Sequence, residues 1–519
     1  MRKPWLVAGG IVLAILAGAA IWLTNKANQL EPELRARLIA YLESRFDGEV
    51  NIDKLDIAGV PRVEVRVSGI RVHRRGDRYP VVVAKSLRFH ADYLDLFGEI
   101  KHINLVRLEG FELTIPPKRE KPPGEAEASK SAQPKPSEGS VPAVVVDQVV
   151  ADNTLLRLVP RDPEKPLRDF ELYGLRLLGV GAGKPMTYHA KLKNYKPPGI
   201  VDSTGTFGPW VPGEPGESPL SGNYTFTDAD LGVFKGITGT LQSTGKFGGE
   251  LGHIEAEGET RVPNFALKMA NQQVPLTTHY KAIIDGTSGN TDLVPVDAML
   301  NKSPFRVSGS VEGQKGVKGK EVRLAVKMTA ARLEDFMRLS VKGNPPIVGA
   351  LAYDGHIDIP RGDEQVVDKI GLDGTFVLNG ARFTSKEIQD KIDELSRRGS
   401  GHPGDEEIDR VRSRMRGRFT LRDTVLRFSE LHYEVPGASV DVIGTYGLKS
   451  EEIAFAGTFR MDATVSETFK GMKSIMLKPF DRLFSRKGQG TVLSIKIEGT
   501  RAHPKFGLDA GRTFKKADK

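Results

Sequence analysis

The residues of this chain that could do chemistry are few and scattered. The most suggestive run is Gly179-Val180-Gly181-Ala182-Gly183-Lys184, which has the glycines and the lysine of a phosphate-cradling loop. That loop needs a glycine five residues before Gly183 and a hydroxyl residue after Lys184, and this chain has Leu178 and Pro185 there. Proline brings neither a magnesium ligand nor an N–H for phosphate, so the run is expected to be a glycine-rich hairpin turn. Histidines occur at His73, His90 and His102 near the start and at His432 and His503 near the end. None stands at a zinc-binding spacing with another ligand, and the chain has no cysteine to supply a thiolate. A nucleophile elbow of the G-x-S-x-G type is absent. Arg361-Gly362-Asp363 spells an adhesion tripeptide, but a charged turn after Pro360 explains it equally well. The expectation is a protein that is not an enzyme and carries no metal or cofactor.

The elements that remain begin with the first 25 residues. Trp5, Leu6, Ile11, Leu13, Ile15, Leu16, Ile21, Trp22 and Leu23 belong to one apolar run without a charge. As a helix, the 19 residues from Trp5 to Leu23 would extend roughly 28 Å, close to the ~30 Å hydrocarbon core of a bilayer. Arg2 and Lys3 precede the run, and Lys26 is soon followed by Glu31 and Glu33, so the N-terminus is expected to stay cytoplasmic. Ala17-Gly18-Ala19 could instead be the cleavage site of a signal peptide, but the run continues through Ile21, Trp22 and Leu23. An uncleaved single-span anchor is the preferred reading. The absence of cysteine removes any disulfide framework from an exported chain, so burial must supply its stability. The net charge of +9 arises from 75 basic and 66 acidic residues that are interspersed, which suits a solvated surface rather than a nucleic-acid partner.

Beyond a short helix over 30–46 the apolar period becomes two. Val63, Val65 and Val67 oppose Arg62, Glu64 and Arg66; Gly69 shifts the phase and Ile70 and Val72 resume it. Leu87 and Phe89 alternate with Arg88 and His90 in the next strand. Residues 116–142, with seven prolines, read as a disordered loop or linker. Strands then follow one another with brief helical interruptions near Asp228–Phe234 and Leu333–Leu339. Thr384 and Glu387 spell a capping box for a helix carrying Ile388, Ile392 and Leu395 on one face. Thr464 and Glu467 do the same for a helix with Phe469, Met472, Ile475, Met476, Leu477 and Phe480, ended or kinked by Pro479. The count is roughly 25 strands, which a sandwich, a barrel or a solenoid-like sheet would each accommodate.

Several segments together resemble the AsmA family of bacterial envelope proteins. They are the N-terminal helix and first strands through Ile115, the Pro-rich break, and a C-terminal series of motifs. That series includes Gly417-Arg418-Phe419, Pro436-Gly437-Ala438, Gly444-Thr445-Tyr446, Gly457-Thr458-Phe459-Arg460 and Ile497-Glu498-Gly499-Thr500 before Pro504. The resemblance implies a mainly β protein: one transmembrane helix, then an elongated, bent antiparallel sheet forming a half-pipe, with a few short amphipathic helices. Its segments would be the anchor (1–25), the helix and first strands (26–115), the loop (116–142), a β-rich middle (143–370), the AsmA-like C-terminal region (371–508) and a basic tail (509–519). It further implies an inner-membrane, periplasmic protein whose apolar groove binds or conducts phospholipid in outer-membrane lipid homeostasis. On that reading Val63, Val65, Val67, Leu87 and Phe89 line the groove; the alternative is that they pack in an ordinary sandwich. The Phe469 helix would cap the groove or lie on an anionic membrane surface. An envelope protein partner would meet the chain near Thr491 to Leu508. The competing function is a periplasmic scaffold or assembly factor for outer-membrane proteins that transfers no lipid.

Overall fold

The computed structural model describes residues 48–58, 62–74, 78–92, 100–115, 143–159, 167–181, 183–209, 215–314, 319–362, 366–402, 411–464, 490–500 and 503–508, with isolated positions beside them. The expected anchor (1–25), the Pro-rich segment, the Phe469 helix and the basic tail lie outside the described residues, as does the Val63 side chain. Among the described residues no helix is long and apolar enough to cross a membrane. The chain is mainly β, as the period-two patterns require, and forms two compact units: Met1–Asp230 with Gln242–Ala256, and Leu231–Leu241 with Glu257–Lys519.

The first unit begins with β1 (Gly48–Asn51) and β2 (Lys54–Ala58), which pair side by side along β3 (Arg62–Arg74). Next come β4 (Val82–Asp92), β5 (Ile100–Ile115), β6 (Ala143–Leu158), β7 (Arg168–Gly181), β8 (Met186–Tyr195), β9 (Pro198–Phe207) and β10 (Pro219–Asp230). β11 (Ile237–Thr238) belongs to the second unit, and β12 (Thr240–Glu250) pairs with β10. Each strand pairs with its successor from β3 to β10, so the sheet is open.

One pair departs from the expected antiparallel plan. β5 and β6 are parallel, with Ile103 opposite Val146 and Leu113 opposite Leu156, so the sheet is mixed. Parallel neighbours need the chain to return along the whole strand, here about 50 Å for 16 residues. The 27 residues of 116–142 have a reach of about 90 Å. A stretch that composition marks only as a linker is thus the crossover that makes a parallel pair attainable.

Gly69 does shift the phase of β3. Its φ is 64°, and a Cβ there would sit 1.9 Å from Asp53 Oδ2, so only glycine fits. Gly110 in β5 (φ 57°) and Asn153 in β6 (φ 50°) take the same left-handed conformation. The buried positions change parity on both sides of this row: Val65 and Val67 give way to Ile70 and Val72, and Leu87 and Phe89 lie beyond Ala84 and Val82. The apolar side chains therefore stay on one side. They form a core from Val50, Ile52, Leu55, β3, β4, β5 and β6, against which Ile39 of the expected first helix packs.

The second unit continues with β13 (His253–Leu267, within it from Glu257), β14 (Val274–Ile284), β15 (Thr291–Leu300), β16 (Ser303–Gly313) and β17 (Lys320–Arg332). Helix α1 (Leu333–Ser340) leads to β18 (Ile347–Ile359) and β19 (Gly371–Phe383), and helix α2 (Lys386–Gly399) to β20 (Ser413–Arg422). β21 (Val425–Val435), β22 (Ala438–Gly447), β23 (Glu452–Met461), β24 (Thr491–Thr500) and β25 (Pro504–Leu508) complete it. From β14 onward every consecutive pair is antiparallel, a meander with no closing pair among the described residues.

Helix α2 starts one residue later than the capping box suggests. Ser385 is the N-cap and its hydroxyl accepts from Ile388 N at 3.4 Å, while Thr384 Oγ1 donates to the Pro345 carbonyl. Its inward stripe is also partly polar. Gln389, Asp393 and Ser396 are buried, Ile392 and Leu395 pack on the sheet, and Ile388 is 43% exposed.

Candidate functional site: half-open apolar faces

The alternation in the second unit places most large apolar residues of β18–β24 on one side, while Val377, Val425 (40% exposed) and Ile443 (57% exposed) fall on the other. Across the strands the register runs Tyr353, Phe376, Gly417, Leu431, Val442, Gly457, Ile495 in one row. A neighbouring row runs Gly355, Gly374, Phe419, Phe428, Gly444, Phe455, Ile497. The opposite side carries Asp354, His356, Thr375, Arg414, Arg416, Arg418, Arg427, Arg460 and Lys496, all exposed. Ion pairs cross the strands there, among them Lys327–Asp354 at 3.7 Å, Arg414–Glu434 at 3.7 Å and Arg460–Asp441. His432 bridges Asp441 (2.6 Å) and Glu434 (3.0 Å). Burial works against its charge, but these two hydrogen bonds outweigh burial and raise its pKa.

What distinguishes the apolar side is that no other described residues of the unit cover most of it. Tyr353, Phe376, Phe419, Phe428, Leu431, Phe455, Ile495 and Ile497 are all only half-buried. Among the described residues their rings touch one another and the glycines beside them. Phe419 stacks on Tyr353 (centroids 6.1 Å, 26° between planes) and meets Phe376 and Phe428 at 6.1 Å, and Phe428 meets Phe455 at 5.8 Å. The glycines let the rings lie down. A Cβ at Gly444 would fall 2.6 Å from Phe455 Cδ1, and one at Gly374 would fall 2.7 Å from Tyr353 Cε2. The result is a low apolar floor with few polar atoms. The Tyr353 hydroxyl donates to the Asp373 carbonyl at 3.1 Å, and burial, reinforced by Asp373 and Asp354, pushes its pKa up to about 12.

In the first unit the same alternation gives two different results. Val65 (1% exposed), Val67 (0%), Leu87 (1%) and Phe89 (0%), the side chains expected to line a groove, share one face, but that face is closed. They lie inside the core and present no surface to a ligand. Farther along the unit the face opens. Tyr188 on β8, Phe207 on β9, Tyr224 and Phe226 on β10 and Phe247 on β12 are half-buried. Here Tyr188 and Tyr224 turn their hydroxyls to Ser203 (3.2 Å) and Ser243 (2.9 Å).

The half-open rows were legible in part. Gly417, Phe419, Gly444, Tyr446, Gly457, Phe459 and Ile497 stand in the C-terminal motifs and fall on the apolar side. Tyr353 and Phe376 carry no such signal. No alternation can say whether a face is covered, because a core strand and a groove strand have the same period.

The other sequence motifs prove structural. Gly181 ends β7 and Met186 starts β8, so the glycine run is a turn, with Gly179 and Gly183 at φ 69° and 77°. Arg361 is engaged by Glu321 (3.1 Å) and Gln314 (3.1 Å). Among the described residues no group of three or more His, Cys, Asp or Glu could hold a metal ion.

Fold and surface together define an open, mixed, amphipathic β-sheet protein with a half-buried apolar face in each unit. Compared with protein-family models, with curated proteins and with solved structures, the chain finds no match.

Proposed function

We propose that this chain binds phospholipid by laying acyl chains on the half-open apolar faces. In this reading it is held in the bacterial inner membrane by the Trp5–Leu23 run, with its bulk in the periplasm. It contributes there to outer-membrane lipid homeostasis as an AsmA-like protein. The observation that carries the reading is the half-buried apolar floor of Tyr353, Phe419, Phe428, Phe455 and Ile497, over which no other described element packs. Left bare, such a surface costs about 25 cal/mol for each Å² of apolar area in contact with water, and acyl chains remove that contact. Seven strands at about 4.8 Å spacing make the face roughly 30 Å wide, ample for a lipid chain that occupies about half a bilayer core. A headgroup needs no dedicated pocket in such a trough, which accords with the low polar content of the floor.

The test is lipid extraction and native mass spectrometry on the full chain purified in mild detergent. Phospholipid should co-purify with the protein, and Phe419→Glu should reduce it. A chain that carries no lipid would sink the proposal and leave the scaffold reading, in which sheet edges rather than faces engage outer-membrane proteins.

A further inference from the structure

The side of the first unit that faces away from its core arranges charge differently from the polar side of the second. In the second unit cross-strand neighbours pair opposite charges, as Lys327 does with Asp354 and Arg414 with Glu434. In the first unit the register sets like against like. Arg66 on β3 stands opposite Arg88 on β4, and Arg88 stands opposite Arg107 on β5. Val150 on β6 follows, then Arg176 on β7 and His189 on β8. All lie on the side away from the core, because their chain neighbours Val65, Leu87, Val106 and Val149 are buried and Leu175 and Leu177 pack on the same core. From Arg66 to Arg176 the line crosses from β3 to β7, roughly 19 Å at about 4.8 Å per strand.

Like charges directly opposite one another destabilise a sheet, and the carboxylates nearby relieve this row only at one end. Glu64 meets Arg66 at 3.1 Å but is shared with His90 at 3.7 Å. Glu109 accepts from Ser86 Oγ at 3.0 Å and reaches Arg88 only at 4.0 Å. Arg88 Nε is buried and has no hydrogen-bond partner among the described residues. Arg107 and Arg176 are exposed, and neither forms an ion pair among the described residues. Apolar side chains interleave with the row. Val150 stands within it, and beside it Leu105 and Leu178 flank Gln148 in the neighbouring register line, with Leu178 44% exposed.

We infer that this line of arginines docks the first unit on an anionic phospholipid surface, the leaflet of the membrane that holds the Trp5–Leu23 run. Lipid phosphates supply the negative charge that the row lacks, and a guanidinium can hold a phosphate through two parallel hydrogen bonds. Leu105 and Leu178 suit the boundary between headgroups and acyl chains, where basic and apolar side chains work together. Residues 24–47 separate the apolar run from β1, a reach of about 80 Å at most, so the unit is kept at high local concentration over the bilayer. The tether rests on the anchored reading above, whereas the line of charge stands on the register alone.

The test places the full chain in nanodiscs of phosphatidylcholine, with or without phosphatidylglycerol, and maps arginine modification by phenylglyoxal with mass spectrometry. Phosphatidylglycerol should slow modification of Arg66, Arg88, Arg107 and Arg176 severalfold, and high salt should restore it. Arg418 and Arg427 in the second unit should not change. Arg107→Glu should remove the protection of the other three arginines while the melting temperature holds or rises, because a like-charge contact is lost; Arg107→Lys should keep the protection. Equal modification in the two discs, or an Arg107→Glu chain that melts lower, overturns the docking. Protection by polyglutamate but not by phosphatidylglycerol would assign the row to an acidic protein and overturn it as well. A chain that enters neither disc overturns the anchor instead. Its flotation with free phosphatidylglycerol vesicles, lost in Arg107→Glu, would then uphold the docking, and no flotation would overturn both.

Discussion

Two residues on the same kind of strand show how a single position decides between core and binding surface. Val65 is 1% exposed inside a closed core, whereas Phe419 is half-buried on a face that no other described element covers. A glutamate at Val65 would strand a carboxylate among apolar side chains, so Val65→Glu should cost on the order of 4 kcal/mol or more. Phe419→Glu can turn its carboxylate to water. It should lower bound lipid with only a small change in melting temperature, and calorimetry of the two variants separates them. The His432 cluster gives a second prediction at this scale. With its pKa raised above the ordinary 6.5, His432 stabilises the fold fully below that value, and the contribution is lost as pH rises through the higher folded value. Glu434, bonded to His432, has a lowered pKa. Asp441 does as well, its bonds to His432 and Arg460 outweighing burial. Their contribution is present above the ordinary 4.5 and 3.8 and is lost as pH falls through the lower folded values. Thermal melts at pH 5.5 and 8.5 should therefore show a loss toward pH 8.5 that His432→Gln diminishes. An equal loss in the variant would remove this cluster from the account.

Among the elements, α2 and the 116–142 crossover carry the clearest consequences. Asp393→Ala would leave Val411 N and Gln389 Nε2 without the acceptor they share, a cost of about 2–4 kcal/mol for buried partners. The variant should loosen α2 from the sheet, and binding of a hydrophobic dye should rise; unchanged dye binding would mean that α2 is not held by these bonds. The crossover is a matter of reach. Deleting eight of its 27 residues leaves about 63 Å of chain and should be tolerated. Deleting 20 leaves about 23 Å, too little to return along β5, and should disrupt the β5–β6 pair. Limited proteolysis of the two deletions would show whether the parallel pairing depends on that length.

For the molecule as a whole, the proposal requires a membrane-held chain with its sheet-bearing units on the periplasmic side. Tags at the N-terminus and at Lys519 should report cytoplasm and periplasm respectively, on one uncleaved polypeptide. A mature chain beginning near Ala20 would point to a cleaved signal peptide instead. Each unit would offer its own apolar face, so lipid stoichiometry should exceed one per chain. In the first unit that face starts beyond β6, because β1–β6 enclose a core.

By itself the sequence determined the β character, nearly every strand, the phase shift at Gly69 and the apolar side of β20–β24. All of these follow from local period and from backbone conformations that only certain residues adopt. It also marked 116–142 as a break without showing that β5 and β6 run parallel, because strand direction depends on partners distant in sequence. Only tertiary packing decided that Val65 and Phe89 are sealed while Tyr353 and Phe419 are not, since covering a face requires another element to arrive over it. The polar stripe of α2 had the same cause. Gln389, Asp393 and Ser396 look like solvent-facing residues until the strand ends supply the donors and acceptors that make their burial favourable.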